Sequence, residues 1–237
     1  MVQTRHSTRF AKENHKLLFL HGYRADSNSF YCQYPFFERD FEIFHPDFKG
    51  FGTNADMQYA YSLDDYVFEL SEYMYKNGLE NAHVIAHSFG ARVVIKGVAT
   101  NRLRFDKMVI TGGAGLKPKQ TVKKRLNKFF FNVLKTFVAK DKLKAFYSSD
   151  YLALSPIMRE SFKKIISEHV DHLLEDVQNK TLLIFGALDK ETPLYMAKRF
   201  NRGIKNSTLS IYDGAGHFAF IDKPIKFNTE VKEFLLS

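Results

Sequence analysis

The sequence predicts an α/β protein: a mostly parallel sheet of about six strands flanked by helices on both faces. Continuous apolar runs of strand length recur along the chain, and such runs suit strands that are buried on both faces of a parallel sheet. Helix-spaced apolar residues separate these runs, so strand and helix alternate, and right-handed crossovers of that kind build a sheet with two helical layers. The segments that follow the runs hold the Gly, Asp, Ser and His residues, and in open α/β sheets ligands bind at the carboxyl ends of the strands.

The first run is residues 16–20, which ends at His21, Gly22, Tyr23 and Arg24. A helix is expected over 27–39 from the spacing of Phe30, Tyr34 and Phe37, interrupted in course by Pro35. Residues 41–45 form the second strand, which runs into a tight loop with Asp47, Gly50 and Gly52. Ser62 with Asp65 marks a capped helix start, and Tyr66, Leu70, Tyr73 and Met74 continue one face to Gly78. A strand over 82–86 is followed by Ser88 and at once by another apolar segment; residues 107–111 are the fourth strand, followed by Gly112, Gly113, Ala114 and Gly115.

Here the alternation stops for roughly sixty residues that read as helical throughout. Within them Val122, Leu126, Phe129, Val133 and Phe137 recur at three- and four-residue spacing, with Lys123, Lys124, Lys128 and Lys135 on other faces, which predicts a basic amphipathic helix. Residues 181–185 resume the strands, Pro193 opens a helix to about Phe200, residues 209–212 are the last strand, and Pro224 begins a closing helix to Leu236.

A chain of 237 residues fits one domain with a substantial core. No apolar run approaches the roughly 18 residues needed to span a bilayer. The single cysteine, Cys32, excludes an internal disulfide and a cysteine-rich metal site, and points to a reducing, cytoplasmic compartment. Residues 1–14 are polar and basic without the apolar core of a secretory signal, and are expected to form a flexible arm. The net charge of +9 is local: residues 117–144 hold ten Lys and Arg against the single acid Asp141, so the remainder is neutral. A plain solvated face, a dock for an acidic carrier, and contact with an anionic lipid surface all suit such a segment. Nucleic acid does not, because no recognised binding motif accompanies the charge.

Ser88 stands where an apolar run must turn into a helix within about one residue, with only the small Ala86, Gly90 and Ala91 around the corner. A turn that sharp forces the serine into a strained conformation and lifts its hydroxyl over the end of the sheet. A serine hydroxyl needs a base to take its proton and a third group to orient that base. Asp189 follows the fifth run and His217 the last, so the chain order is Ser, acid, His. Each residue alone has a structural reading, Ser88 as an ordinary turn, Asp189 as a loop acid or helix cap, His217 as an ordinary surface histidine among the nine histidines of the chain. Their conjunction at three strand ends is what favours chemistry. The loop after the fourth run contains no carboxylate, Glu191 is a second acid beside Asp189, and Asp47 suits bracing of its own turn.

On His21-Gly22, the loop from Asp47 to Gly52, the Ser88 turn, the segment from Gly186 to Pro193 and the segment from Gly214 to His217, the chain resembles the α/β-hydrolase superfamily. The resemblance spans Leu17 to the end. It implies that the backbone N–H groups of Tyr23 and Phe89 form an oxyanion hole, that 15–115 and 177–237 form the core, and that 116–176 are a helical lid. Two departures stand out: Ala86 replaces the usual first glycine of the turn, and little room precedes the first strand for the family's N-terminal hairpin. The expected activity is cleavage of an ester or thioester of a small-molecule acyl substrate through an acyl-enzyme, without cofactor. Carbon–carbon bond hydrolases, perhydrolases and ligand-binding signalling proteins share the triad. No metal-ligand or phosphate-cradling motif is present in the sequence.

Overall fold

The computed structural model describes residues 15–119 and 154–237. Six strands, β1 (His15–Leu20), β2 (Phe41–Phe44), β3 (His83–His87), β4 (Lys107–Thr111), β5 (Lys180–Gly186) and β6 (Ser207–Tyr212), form one sheet in the order β2-β1-β3-β4-β5-β6. Every neighbouring pair is parallel. All six carboxyl ends therefore open on one edge, and the order reverses between β1 and β3, as at the switch points where α/β sheets bind ligands.

The strands explain the unbroken apolar runs. Leu18, Leu20, Val84, Ala86, Met108, Ile110, Leu183 and Phe185 face one core, and Leu17, Phe19, Ile85, Val109, Leu182 and Ile184 the other. Helices α2 (Leu63–Lys76), α3 (Phe89–Ala99), α4 (Pro156–Ser167) and α5 (Leu194–Gly203) cover the first core; α1 (Tyr34–Phe37), α6 (Ala219–Asp222) and α7 (Pro224–Leu236) cover the second. The edge strand β6 is only half-buried along most of its length.

The expected helix over 27–39 is instead two short turns. A 3₁₀ turn at Ser27–Phe30 is capped by Asp26, whose carboxylate accepts from the Asn28 N–H, and α1 restarts at Tyr34 with Pro35 in its first turn. Proline lacks the N–H that would have joined the two. Elsewhere Pro193 is the N-cap of α5 and not its first residue. The amphipathic segment at 122–137 lies outside the described residues; of the expected lid, 154–176 supply α4 and a 3₁₀ turn at Asp171–Asp176.

The start of α2 is a reciprocal cap: the Asp65 N–H donates to Ser62 Oγ at 3.3 Å, and the Ser62 N–H to Asp65 Oδ2 at 2.7 Å. Two N–H groups that no intrahelical carbonyl can reach are satisfied together. Ser62→Ala should lower unfolding stability by about 1 kcal/mol in a denaturant titration while leaving the slope with denaturant unchanged.

Candidate active site

Ser88 has φ 50° and ψ −104°, a left-handed conformation rare for a residue with a side chain. It joins β3 to α3 with no intervening residue. Two backbone bonds hold it there: the Ser88 N–H donates to the Thr111 carbonyl at 3.1 Å, and the Ala114 N–H donates to the Ser88 carbonyl at 3.1 Å. On the helix side, a Cβ at Gly90 would lie 2.8 Å from the Leu20 carbonyl oxygen, so only glycine lets α3 pass this close to the end of β1. Ala86, by contrast, is wholly buried in β3 alongside Leu20. The missing first glycine of the motif is thus tolerated, while the second is required.

Asp189 follows β5 in a tight turn. Gly186 makes that turn possible, since a Cβ there would meet the carbonyl oxygens of Ala215 and Gly216 at 2.3 and 2.1 Å. The Asp189 carboxylate accepts the Glu191 and Thr192 N–H groups on Oδ1 at 2.8 and 2.9 Å, and the Thr192 hydroxyl on Oδ2 at 2.7 Å. His217 Nδ1 lies 2.8 Å from the same Oδ2. Burial alone would push this acid up, but the hydrogen bonds from His217 and from the Thr192 side chain and backbone outweigh it and hold the group at about 2. The carboxylate is therefore ionised at neutral pH, and it fixes the proton of His217 on Nδ1. Nε2 is left with its lone pair. The Glu191 carboxylate has no such contact with His217.

Ser88 and His217 line one cavity of about 320 Å³ at the carboxyl end of the sheet, together with Tyr23, Phe89, Arg92 and Phe162. That volume suits a small organic ligand. A larger cavity of about 540 Å³, near Asn81, Asn101 and Arg102, has no nucleophile–histidine pair on its walls. Phe89 is the first residue of α3, a position whose N–H has no intrahelical acceptor. The Tyr23 ring packs 4.9 Å from Phe51 and 5.7 Å from Phe89 at its edges, and its hydroxyl donates to the Met158 carbonyl at 3.3 Å.

Three supporting residues, Thr192, His21 and His87, emerge that sequence reasoning missed or left without a role. Thr192 shares Asp189 Oδ2 with His217; its signal was the Asp-x-x-Thr spacing before Pro193, which resembles a helix cap. His21 donates from Nδ1 to the Gly22 carbonyl at 2.8 Å and accepts the Phe48 N–H on Nε2 at 3.0 Å, so it is neutral and ties β1 to the loop after β2. Asp47 braces that loop as expected, accepting from the Ser27 N–H and from the Thr53 N–H and hydroxyl. His87, the residue before Ser88, is 1% exposed, and its Nε2 lies 3.1 Å from the His217 carbonyl, which can only accept. Its ring lies tilted against those of His217 and Phe218, with centroids 4.7 and 4.9 Å away. Burial, and then the neighbouring His217, push His87 down to about 3, so it too is neutral.

The family model for the alpha/beta hydrolase family matches residues 17–230. The chain belongs to that family. Among curated relatives of this alpha/beta hydrolase, the AB hydrolase superfamily protein YisY of Bacillus subtilis is 25% identical over 92% of the chain and 90% of its own length. A 2-hydroxy-6-oxononadienedioate/2-hydroxy-6-oxononatrienedioate hydrolase of Pseudomonas putida is 26% identical over 67% of the chain and 64% of its own length. Among solved structures, an esterase from Exiguobacterium antarcticum superposes with a TM-score of 0.75 at 19% identity, covering 94% of this chain and 92% of the other.

The buried neutral histidine makes a pH prediction for this hydrolase fold. Unfolded, His87 binds a proton below about 6.5; folded, it does not until about 3. Its contribution is therefore present above 6.5 and is lost as pH falls toward 3, with a slope of up to about 1.4 kcal/mol per pH unit. His87→Gln, which keeps an N–H donor for the His217 carbonyl, should flatten the acid side of the stability–pH curve measured by denaturant unfolding.

Proposed function

We propose that this protein is a serine hydrolase that cleaves an ester or thioester through an acyl-enzyme, with Ser88 as nucleophile, His217 as base and Asp189 as the acid that orients it. The observation that carries the reading is the strained Ser88 in one cavity with a histidine whose Nδ1 is fixed by a buried, ionised carboxylate. Ser88 Oγ adds to the acyl carbon as its proton passes to His217 Nε2. Asp189 then faces an imidazolium and stabilises it without taking the proton. The oxyanion that forms is met by the N–H groups of Phe89 and Tyr23, each worth about 3 kcal/mol in such sites. His217 returns the proton to the departing alcohol or thiol. Water, deprotonated by the same nitrogen, repeats the addition and releases the acid from Ser88.

A second reading follows from the relative named for a 2-hydroxy-6-oxononadienedioate substrate: the same groups serve hydrolytic cleavage of a carbon–carbon bond beside a ketone. That reaction also passes through attack on a carbonyl carbon, so it uses the same oxyanion donors. Residues 116–176 are proposed as the lid over the cavity, with 15–115 and 177–237 as the core. The cluster of lysines from Lys117 to Lys144 is proposed as the face that meets an acidic carrier or anionic surface. Among the described residues no helix is long and apolar enough to cross a membrane. The lone Cys32 supports a cytoplasmic setting.

Ser88→Ala should fold and lose all covalent labelling by a fluorophosphonate probe; undiminished labelling would remove Ser88 from the mechanism. Asp189→Asn should lower kcat on a nitrophenyl ester by roughly three to four orders of magnitude, whereas Glu191→Gln changes it little. The reverse ranking would transfer the role of the acid to Glu191.

A further inference from the structure

Arg92 lies one helical turn after Ser88 in α3, and its side chain forms part of the same cavity wall. The residue is only 8% exposed. A buried cation is costly unless something pairs with it, and the partners here are incomplete. Nη1 donates to the main-chain carbonyls of Ile165 and Glu168, at 2.9 Å for the latter, satisfying acceptors that the end of α4 leaves open. Among the described residues Nε and Nη2 make no hydrogen bond, and no carboxylate stands within ion-pair distance of the guanidinium. The two nearby acids are engaged elsewhere: Glu168 with Lys96, and Asp171 with Arg199. Burial pushes Arg92 down to about 10, which leaves it protonated at neutral pH.

Capping the end of α4 thus uses one nitrogen of a five-donor group. The Nε–Nη2 edge that remains is the planar fork that matches a carboxylate with two parallel hydrogen bonds. Phe89, Phe162, Ile165 and Ile166 line the cavity with it, alongside the polar Thr192 and Glu191, and because Arg92 is itself buried an anion paired with it would be partly desolvated and its contact strengthened. Arg92 lies four positions after Ser88, about 6 Å along the axis of α3.

We propose that Arg92 is an anion-binding subsite within the catalytic cavity, and that the acyl part of the substrate carries a second carboxylate several bonds from the scissile carbonyl. This rests on the serine-hydrolase reading and narrows it from acyl esters in general to half-esters of short dicarboxylic acids. It is distinct from attraction by the lysines between 117 and 144, because a desolvated contact is little screened by salt whereas exposed charges are.

The test uses two nitrophenyl esters that differ only in charge: a glutarate half-ester and the same compound with its free carboxylate capped as a methyl ester. Wild-type kcat/KM should favour the charged ester by tenfold or more, with the ratio nearly constant between 50 and 500 mM salt. In Arg92→Lys and Arg92→Gln that ratio should collapse toward one. Equal rates on both esters in the wild type, or an unchanged ratio in folded Arg92→Gln, would make Arg92 a helix cap only. A ratio that vanishes with salt would assign the preference to surface lysines and overturn the subsite. Where the variants fail to fold, inhibition of the wild type decides: glutarate mono-methyl amide, which keeps one carboxylate, must compete at least tenfold better than the uncharged bis-methyl amide. Failure of the parent reading is separable, because it appears as no labelling by fluorophosphonate and no turnover of either ester. In that event a rise in melting temperature with the mono-methyl amide but not with the uncharged bis-methyl amide still supports the subsite, and its absence removes it.

Discussion

A serine at φ 50° persists only where its surroundings leave no alternative, and much of the carboxyl edge of this sheet is arranged around that one residue. Thr111 and Ala114 hold its two peptide groups from β4 and the loop behind it. Gly90 lets α3 begin immediately, against the carbonyls that end β1. The constraint is therefore shared by three adjacent parallel strands, and it requires their register: Leu20 beside Ala86, and His87 beside Thr111. A one-residue slip on either side would exchange the two core faces and release the turn.

The electrostatics of the edge follow a single pattern, in which the charged form is kept only where hydrogen bonds outweigh desolvation. Asp189 is buried and ionised because several donors converge on it. His87 and His21 are buried and neutral, each with a defined tautomer set by a carbonyl that can only accept. Their neutrality matters for His217, since a second cation against its ring would oppose the imidazolium that the proposed mechanism requires. Arg92 is the exception, a buried cation whose Nε and Nη2 donors are uncommitted among the described residues.

The strand runs were legible because a strand covered on both faces shows no alternation to misread, and because each ends at a Gly, Asp, Ser or His that cannot continue it. The Ser62 cap was legible for the same local reason. The break of the 27–39 helix was not, because Phe30, Tyr34 and Phe37 keep helical spacing while packing around Phe19 from two separate turns. Ser88, Asp189 and His217 stand out as candidates by their order after β3, β5 and β6. Thr192, His87 and Arg92 could not, because their roles depend on contacts with residues 25, 130 and 73 to 76 positions away. Periodicity marks a helical Arg92 as surface, whereas its stem packs against Gly115 and its head under α4.

The loop after β4 bears on why the proposed acid follows β5. The Gly112 N–H donates to the Ile184 carbonyl, which draws this loop against the neighbouring strand. A Cβ at Gly112 would already lie 3.0 Å from the His217 carbonyl and 3.1 Å from its ring, and the backbone there has φ +53°. No carboxylate-bearing side chain fits at that position without displacing the imidazole. At Gly112 the space beside His217 is thus closed, whereas on the β5 side the Gly186 turn and the Thr192 N–H and hydroxyl already form a cradle for negative charge. In the proposed triad the position of the acid is in this sense a consequence of where the sheet can spare volume, and the glycines at 112 and 186 bear on it as much as Asp189 does.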